Sequence, residues 1–476
     1  MRGLPPVDCS FRVRRWDAVV LGSALPGLIA AIRLGMRGHR VLILEEDAAA
    51  LEFPGLRDPF MMAGSGSDGV LGSCLKALEI PLIDRRRIRA AFPAYQVALP
   101  RARVDVGDAD RTVEELGAWN LSPEEAARDL VASLQEGSDA QQRRLLNAKN
   151  RAGSRRFPRL SRRRPALPRQ PAAHSNRRDS IAADPIGRAV AEASSLAAFC
   201  DAQLRALSDF AEIEPPANIR TRLLGAALGG AAEINEGHRW LRDLLNQRIA
   251  SLYGETRRIR GAFRLVSAGN QPAIELERTP EVCAGRALLI NAPLPALRDA
   301  ISMGPIPELL KGPSASHRRL SVHLRGPHRA LPEGMAARVI RVGDLAEKIS
   351  GTNLIRMRVF ENPDGIDPAD LVASAVVPID MPADAARDEI ESGVASLFPL
   401  GREGWVRVDP QAPTWDRDEF LADPRGGGSG SAGVSLRPLS RTPAYVLDRW
   451  EYGALGFEGD LLLGWHAGDA VASDLA

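Results

Sequence analysis

Between Asp17 and Glu46 the spacing of apolar residues changes twice. Ala18 to Leu21 is a short continuous apolar run, the pattern of a strand buried on both faces of a parallel sheet. From Leu28 to Arg37 the apolar positions Leu28, Ile29, Ile32 and Met36 recur at helical spacing, and Gly38 stands where a left-handed C-cap belongs. Val41 to Leu44 is a second continuous run, closed by Glu45 and Glu46. The pattern predicts a strand, a turn, a capped helix and a second strand ending in acid.

The turn between the first strand and the helix is Gly22-Ser23-Ala24-Leu25-Pro26-Gly27. It keeps the first and third glycines of a G-x-G-x-x-G fingerprint and has Ala24 at the second. The first glycine serves the tight turn, the second lets backbone approach a pyrophosphate, and the third lets helix and strand pack closely. Gly22, Ser23, Ala24, Leu25 and Gly27 are therefore the expected cofactor contacts, through backbone amides at a helix N-terminus. Glu45 lies about twenty residues beyond the last glycine, where an acid accepts from an adenosine ribose. Glu46 is the alternative for that role.

Further along, Ser194 to Phe210 and Ile219 to Gly230 read as core-facing helices. Asn235-Glu236-Gly237-His238 precedes an amphipathic helix from Arg239 to Tyr253. Thr256 to Val266 and Ala273 to Glu277 read as a hairpin around Ser267-Ala268-Gly269-Asn270. Arg286 to Pro293 is a buried-type strand ending Ala-Pro. Strands follow at Arg319 to Leu324, Ala337 to Val342, Asn353 to Val359, Ala373 to Ile379 and Trp405 to Val408, with a helix from Ala383 to Leu397. The Gly-rich run Gly426 to Gly433 reads as a loop. Gly456 to Ala476 reads as a closing helix with Glu458 near its positive end; the competing register makes Asp460 to Trp465 a strand followed by Gly468-Asp469.

This order, a dinucleotide βαβ unit followed by a glycine-preceded helix, a hairpin and a strand ending Ala-Pro, resembles the FAD-dependent phytoene desaturase and amine oxidase superfamily. The resemblance implies an α/β fold: a Rossmann-like FAD/NAD(P)-binding domain of parallel sheet and helices, with an inserted α+β substrate domain containing an antiparallel sheet. It divides the chain into dinucleotide-binding segments 1-80, 233-300 and 441-476, substrate-domain segments 81-142, 181-232 and 301-440, and a basic linker or insertion, 143-180. It places the region from Arg257 to Ile259 against the flavin's adenine. It implies non-covalent FAD and hydride removal from a small hydrophobic substrate, with NAD as the alternative cofactor. Family members also carry a Gly-Gly-Arg turn after the ribose acid, where this chain has only Gly55 and Arg57. That departure, with Ala24, keeps a second reading open: a catalytically degenerate structural or assembly protein on the same fold.

Composition narrows the remaining classes. The 476 residues, 45% hydrophobic and 26% charged, suffice for two or three soluble domains. Cys9, Cys74, Cys200 and Cys283 are too scattered for a metal or redox motif, and the seven histidines do not cluster with carboxylates at metal spacing. No G-x-S-x-G elbow, Walker lysine or H-E-x-x-H is present, as expected where a flavin carries the chemistry. Tyr95, Gln96 and Arg103 are either lining residues of a substrate cavity or the polar face of an ordinary hairpin. Net charge is +2, yet Arg143 to Arg178 holds thirteen Lys and Arg and no acid. That stretch is expected to be flexible; it is a candidate docking element for a protein partner, while its lack of interleaved aromatics argues against nucleic acid. No run long enough to span a bilayer occurs, so the expectation is a cytoplasmic protein, with peripheral membrane contact left open.

Overall fold

A computed structural model describes residues 4–7, 12–46, 58–64, 69–147, 186–187, 194–211, 214–234, 241–278, 281–292, 297, 316–360, 368–398, 404–408, 419–421, 443–447 and 452–476. The chain is a mixed α/β fold built on a parallel sheet with helices. Gly55, Arg57, most of the basic interval and the Gly426 to Gly433 run lie outside the described residues.

The first strand runs from Arg12 to Leu21 and is flanked in parallel register by Val41–Glu46 and Glu281–Ile290. It starts earlier than the apolar run because Arg12 to Trp16 pairs with Glu281–Gly285, whereas Ala18 to Leu21 is paired on both sides. Only the doubly paired half is continuously apolar, which is why the sequence marks that half alone. Glu255–Ile259 extends the sheet beyond Val41–Glu46, and Ala444–Val446 adds a further parallel pairing to Glu281–Ile290.

The expected hairpin requires a correction. Thr256 to Val266 is two strands, Glu255–Ile259 on the parallel edge and Phe263–Ala268 paired antiparallel with Gln271–Leu276. Gly261 divides them with φ +83°, a conformation that turns the chain and that side chains with a Cβ rarely adopt. The tip at Gly269, φ +67°, falls where the sequence expects it.

A second sheet orders Val406–Arg407, His317–Gly326, Ala369–Pro378, Gly351–Phe360, Arg338–Val342, Tyr95–Leu99 and Ala102–Val106, with Glu419–Leu421 beside His317–Gly326. It is antiparallel except where Arg338–Val342 meets Tyr95–Leu99 in parallel. That junction joins distant chain segments, so no hairpin constrains its direction. The helix Ala383–Ala395 packs Ala386, Ile390 and Val394 into the same core as this sheet. A small sheet of Met62–Ala63, Ala231–Ile234 and Ile88–Ala91 is the third. Within the hairpin the Gln96 amide donates to Asp105 Oδ1 (2.8 Å), while the buried Tyr95 hydroxyl donates to Gln203 Oε1 (2.6 Å) on the helix Ser194–Leu207.

The C-terminal segment is one helix, Phe457–Leu475, with Gly468 and Asp469 inside it. It lies against the first helix, Leu25–Met36. A Cβ on Gly464 would stand 2.5 Å from the Pro26 carbonyl oxygen and 2.8 Å from Ile29 Cβ, and one on Gly468 would stand 2.6 Å from Arg33 Cβ. Arg33 donates to Asp469 Oδ1 at 2.9 Å across the same contact. Glu458 sits in the first turn, as expected, and its carboxylate is buried against Arg222, which also donates to Ser138 Oγ (2.8 Å) and Gln142 Oε1 (2.9 Å). Breaking such a buried pair is strongly destabilising because it strands a charge. Among the described residues, no helix is long and apolar enough to cross a membrane.

Overpacking a filled interface costs about 1–3 kcal/mol. Gly464→Val is therefore expected to lower the unfolding free energy by at least that much, read from denaturant titration, whereas Gly38→Ala, with open space around its Cβ, should lose only the smaller penalty of its positive φ.

Candidate dinucleotide site

The Gly22 to Gly27 turn sits at the carboxyl end of the parallel strands, the edge where open α/β sheets bind ligands. Its glycines answer to a residue that periodicity alone does not single out. Gly22 has φ +99°, and a Cβ there would meet the Asn291 carbonyl oxygen at 2.5 Å; a Cβ on Gly27 would meet Asn291 Nδ2 at 2.2 Å. Asn291 donates its backbone N–H to the Leu21 carbonyl (2.7 Å) and its side-chain amide to the Ala24 carbonyl (2.9 Å). It thereby ties the turn to the neighbouring strand. Its signal in sequence was a polar residue closing the apolar run Ala287 to Ala292.

Ala24 is extended and caps the first helix without a side-chain hydrogen bond. Pro26 has no N–H to offer, and the amides of Gly27 and Leu28 donate to the Ala24 carbonyl at 3.0 and 3.2 Å. Of the first-turn amides, that leaves Leu25 to meet an anion, a thinner donor set than a helix N-terminus usually presents.

An arginine supplements it. Arg242, on the helix Leu241–Ser251, donates to the Ser23 carbonyl, to Ser23 Oγ (3.0 Å) and to Glu45 Oε2 (3.4 Å). Ser23 and Glu45 are both buried. Arg258 reaches the other carboxylate oxygen of Glu45 at 3.3 Å, from the strand Glu255–Ile259. The structure thus brings Gly22, Ser23, Ala24, Leu25, Gly27 and Glu45 to one end of the sheet, while Glu46, next along the strand, is only half-buried and on the opposite face. Arg242 carried no signal in the sequence, since an amphipathic period places it merely on a polar helix face.

A second charged group lies where the segment 58–64 meets the other sheet. Asp58 is 3.8 Å from Arg358, its side chain 5% exposed, and its Oδ1 is buried without a hydrogen-bond partner. Burial pushes its carboxyl up to about 6, against the opposing pull of Arg358 and Arg242. Arg358 donates to the Pro59 carbonyl (3.0 Å) and stacks over Phe360 (4.4 Å), and burial lowers it to about 10. Burial also pushes the thiols of Cys74 and Cys200 up to about 12, which makes them packing groups rather than nucleophiles.

With this geometry in hand, comparison with solved structures decides the fold. Wild-type putrescine oxidase bound to putrescine superposes with a TM-score of 0.52 at 13% identity, covering 97% of this chain and 100% of the other. An oxidoreductase from Methanosarcina mazei gives 0.56 at 15% identity over 95% and 99% of the two chains, and cyclohexylamine oxidase from Brevibacterium oxydans gives 0.52 at 12% over 97% and 99%. The chain has the amine oxidase fold. No protein-family model and no curated protein matches it in sequence.

Because burial raises the Asp58 carboxyl, its protonated form favours the folded state; that contribution is complete below about 3.8 and is lost as pH rises through about 6. The stability of Asp58→Asn relative to the parent is therefore expected to grow by about 3 kcal/mol between pH 3.5 and pH 7. Denaturant titrations at both pH values measure it, and a pH-independent difference contradicts the assignment.

Proposed function

We propose that the chain binds FAD non-covalently and is a flavin-dependent oxidoreductase that removes hydride equivalents from a small organic substrate. The observation that carries this reading is the grouping of the Gly22 to Gly27 turn, Arg242 and Glu45 at the carboxyl end of the parallel sheet. The residues fit the cofactor's adenosine diphosphate half. Leu25 N–H and the Arg242 guanidinium would hold the diphosphate, since arginine suits phosphate by geometry and charge. Glu45 would take the ribose: a carboxylate has about four acceptor positions, and Arg242 and Arg258 occupy two. When bound, the flavin ring supplies the electron acceptor. The chain's own residues bind and orient, and no side chain is assigned a proton transfer.

NAD is the alternative cofactor, since an acid in the position of Glu45 repels a 2'-phosphate and favours NAD over NADP. The amine oxidase fold favours FAD. A second reading has its own observation: two guanidiniums already engage Glu45, as they would in a protein that keeps the fold without the cofactor and serves as an assembly partner. The basic interval after Arg143 would then be its docking element.

Flavin uptake separates these readings. The purified chain, or the chain incubated with FAD, is expected to retain flavin absorbance after gel filtration. Glu45→Ala should abolish retention, and Arg242→Ala should weaken it about ten- to a hundredfold, the worth of one charge-assisted contact. A chain that stays colourless, or tighter FAD binding by Arg242→Ala, overturns the proposal.

A further inference from the structure

From Pro81 to Phe92 the chain carries four arginines, Arg85, Arg86, Arg87 and Arg89, and one acid, Asp84. The same stretch holds three large apolar side chains that the fold leaves in solvent: Leu82 is 52% exposed, Ile83 66% and Phe92 58%. A single exposed leucine needs no explanation, because much of any protein surface is apolar. An adjacent exposed pair set among guanidiniums is a different surface, apolar and cationic at once.

The stretch is held from behind. Leu78 and Ile80, just before it, are buried, and Arg85 donates from Nε to the Ile80 carbonyl at 3.1 Å. Leu82–Arg85 is a single helical turn, closed by the Arg86 N–H donating to the Leu82 carbonyl at 2.9 Å. Leu82, Ile83 and Arg86 therefore share a face, at i, i+3 and i+4 spacing, and all three are exposed. Ile88–Ala91 then forms an edge of the small sheet, paired among the described residues only with Ala231–Ile234, and presents Arg89 to solvent. Arg87 lies 3.9 Å from Asp84, whereas Arg86 and Arg89 form no ion pair among the described residues.

Charge separates the occupants that such a surface admits. A two-fold contact with a second copy of the chain would set the same arginines against one another. A bilayer with anionic headgroups accepts both components: apolar side chains enter the boundary between headgroups and acyl chains, while guanidiniums stay at the phosphates. We propose that the turn from Leu82 to Arg89 docks the chain on an anionic lipid surface, with Leu82 and Ile83 inserted and Arg86 and Arg89 at the headgroup phosphates. The contact is peripheral and independent of the cofactor reading above.

The test is cosedimentation of the full-length chain with vesicles of phosphatidylcholine alone and of phosphatidylcholine mixed with phosphatidylglycerol. Binding to the mixed vesicles is expected, weakening with added salt, with little binding to the neutral ones. Leu82→Ser combined with Ile83→Ser should weaken it at least about tenfold through loss of the inserted side chains. Arg86→Gln and Arg89→Gln should each weaken it about fivefold. Should the double variant fail to fold, Ile83→Ser and Arg86→Gln carry the comparison. Binding that is unchanged in these variants, as it would be if the basic interval after Arg143 supplied all the attraction, overturns the proposal. So does absence of binding to the mixed vesicles, or self-association of the chain that the same substitutions abolish.

Discussion

Everything at the candidate site depends on how closely the first helix is held. Its N-terminal turn is pressed onto Asn291, at separations that admit no Cβ on Gly22 or Gly27, and its outer face is pressed onto Gly464 and Gly468 of the closing helix. These are steric constraints of short range, where a single methyl group exceeds the available space. Residues 28 to 34 are buried almost throughout between sheet and closing helix except for the half-buried Arg33, which pairs with Asp469. The turn is consequently rigid, and the amides and carbonyls it presents are fixed in direction before any ligand arrives.

On that fixed frame the electrostatics are rearranged. Pro26 removes an amide and Ala24 adds a methyl group where a nucleotide fingerprint has neither, and Arg242 brings a guanidinium to the same spot from a helix more than two hundred residues later. A positive charge on a long side chain replaces part of a backbone donor set. Under the proposed function, that guanidinium would add attraction for a diphosphate beside a turn that offers few amides. The same preference for arginine recurs at Arg222, Arg358 and Arg356, each time with the guanidinium anchored by carbonyl, hydroxyl or carboxylate groups of another element.

What the sequence revealed and what it hid divide along the range of the interactions. The βαβ unit, the turn and the acid at Glu45 are local patterns, so periodicity and glycine spacing expose them, and the favoured C-terminal helix follows from its own amphipathic spacing. The division at Gly261 was missed because an apolar run with one glycine reads equally as one strand or two. Arg242 and Asn291 were missed as site residues because their roles exist only after distant segments meet. The parallel pairing of Arg338–Val342 with Tyr95–Leu99 is hidden for the same reason. The basic interval after Asn147 and the departure at Gly55 and Arg57 fall outside the described residues.

The decisive question is whether the anchored turn, Arg242 and Glu45 together receive the adenosine diphosphate half of a flavin. A fluorescence titration of FAD with the nucleotide-free chain, followed by competition with ADP, measures this most directly. Saturable quenching at one FAD per chain that ADP reverses is the expected result; unchanged FAD emission, or quenching that ADP does not reverse, would contradict cofactor binding at this turn.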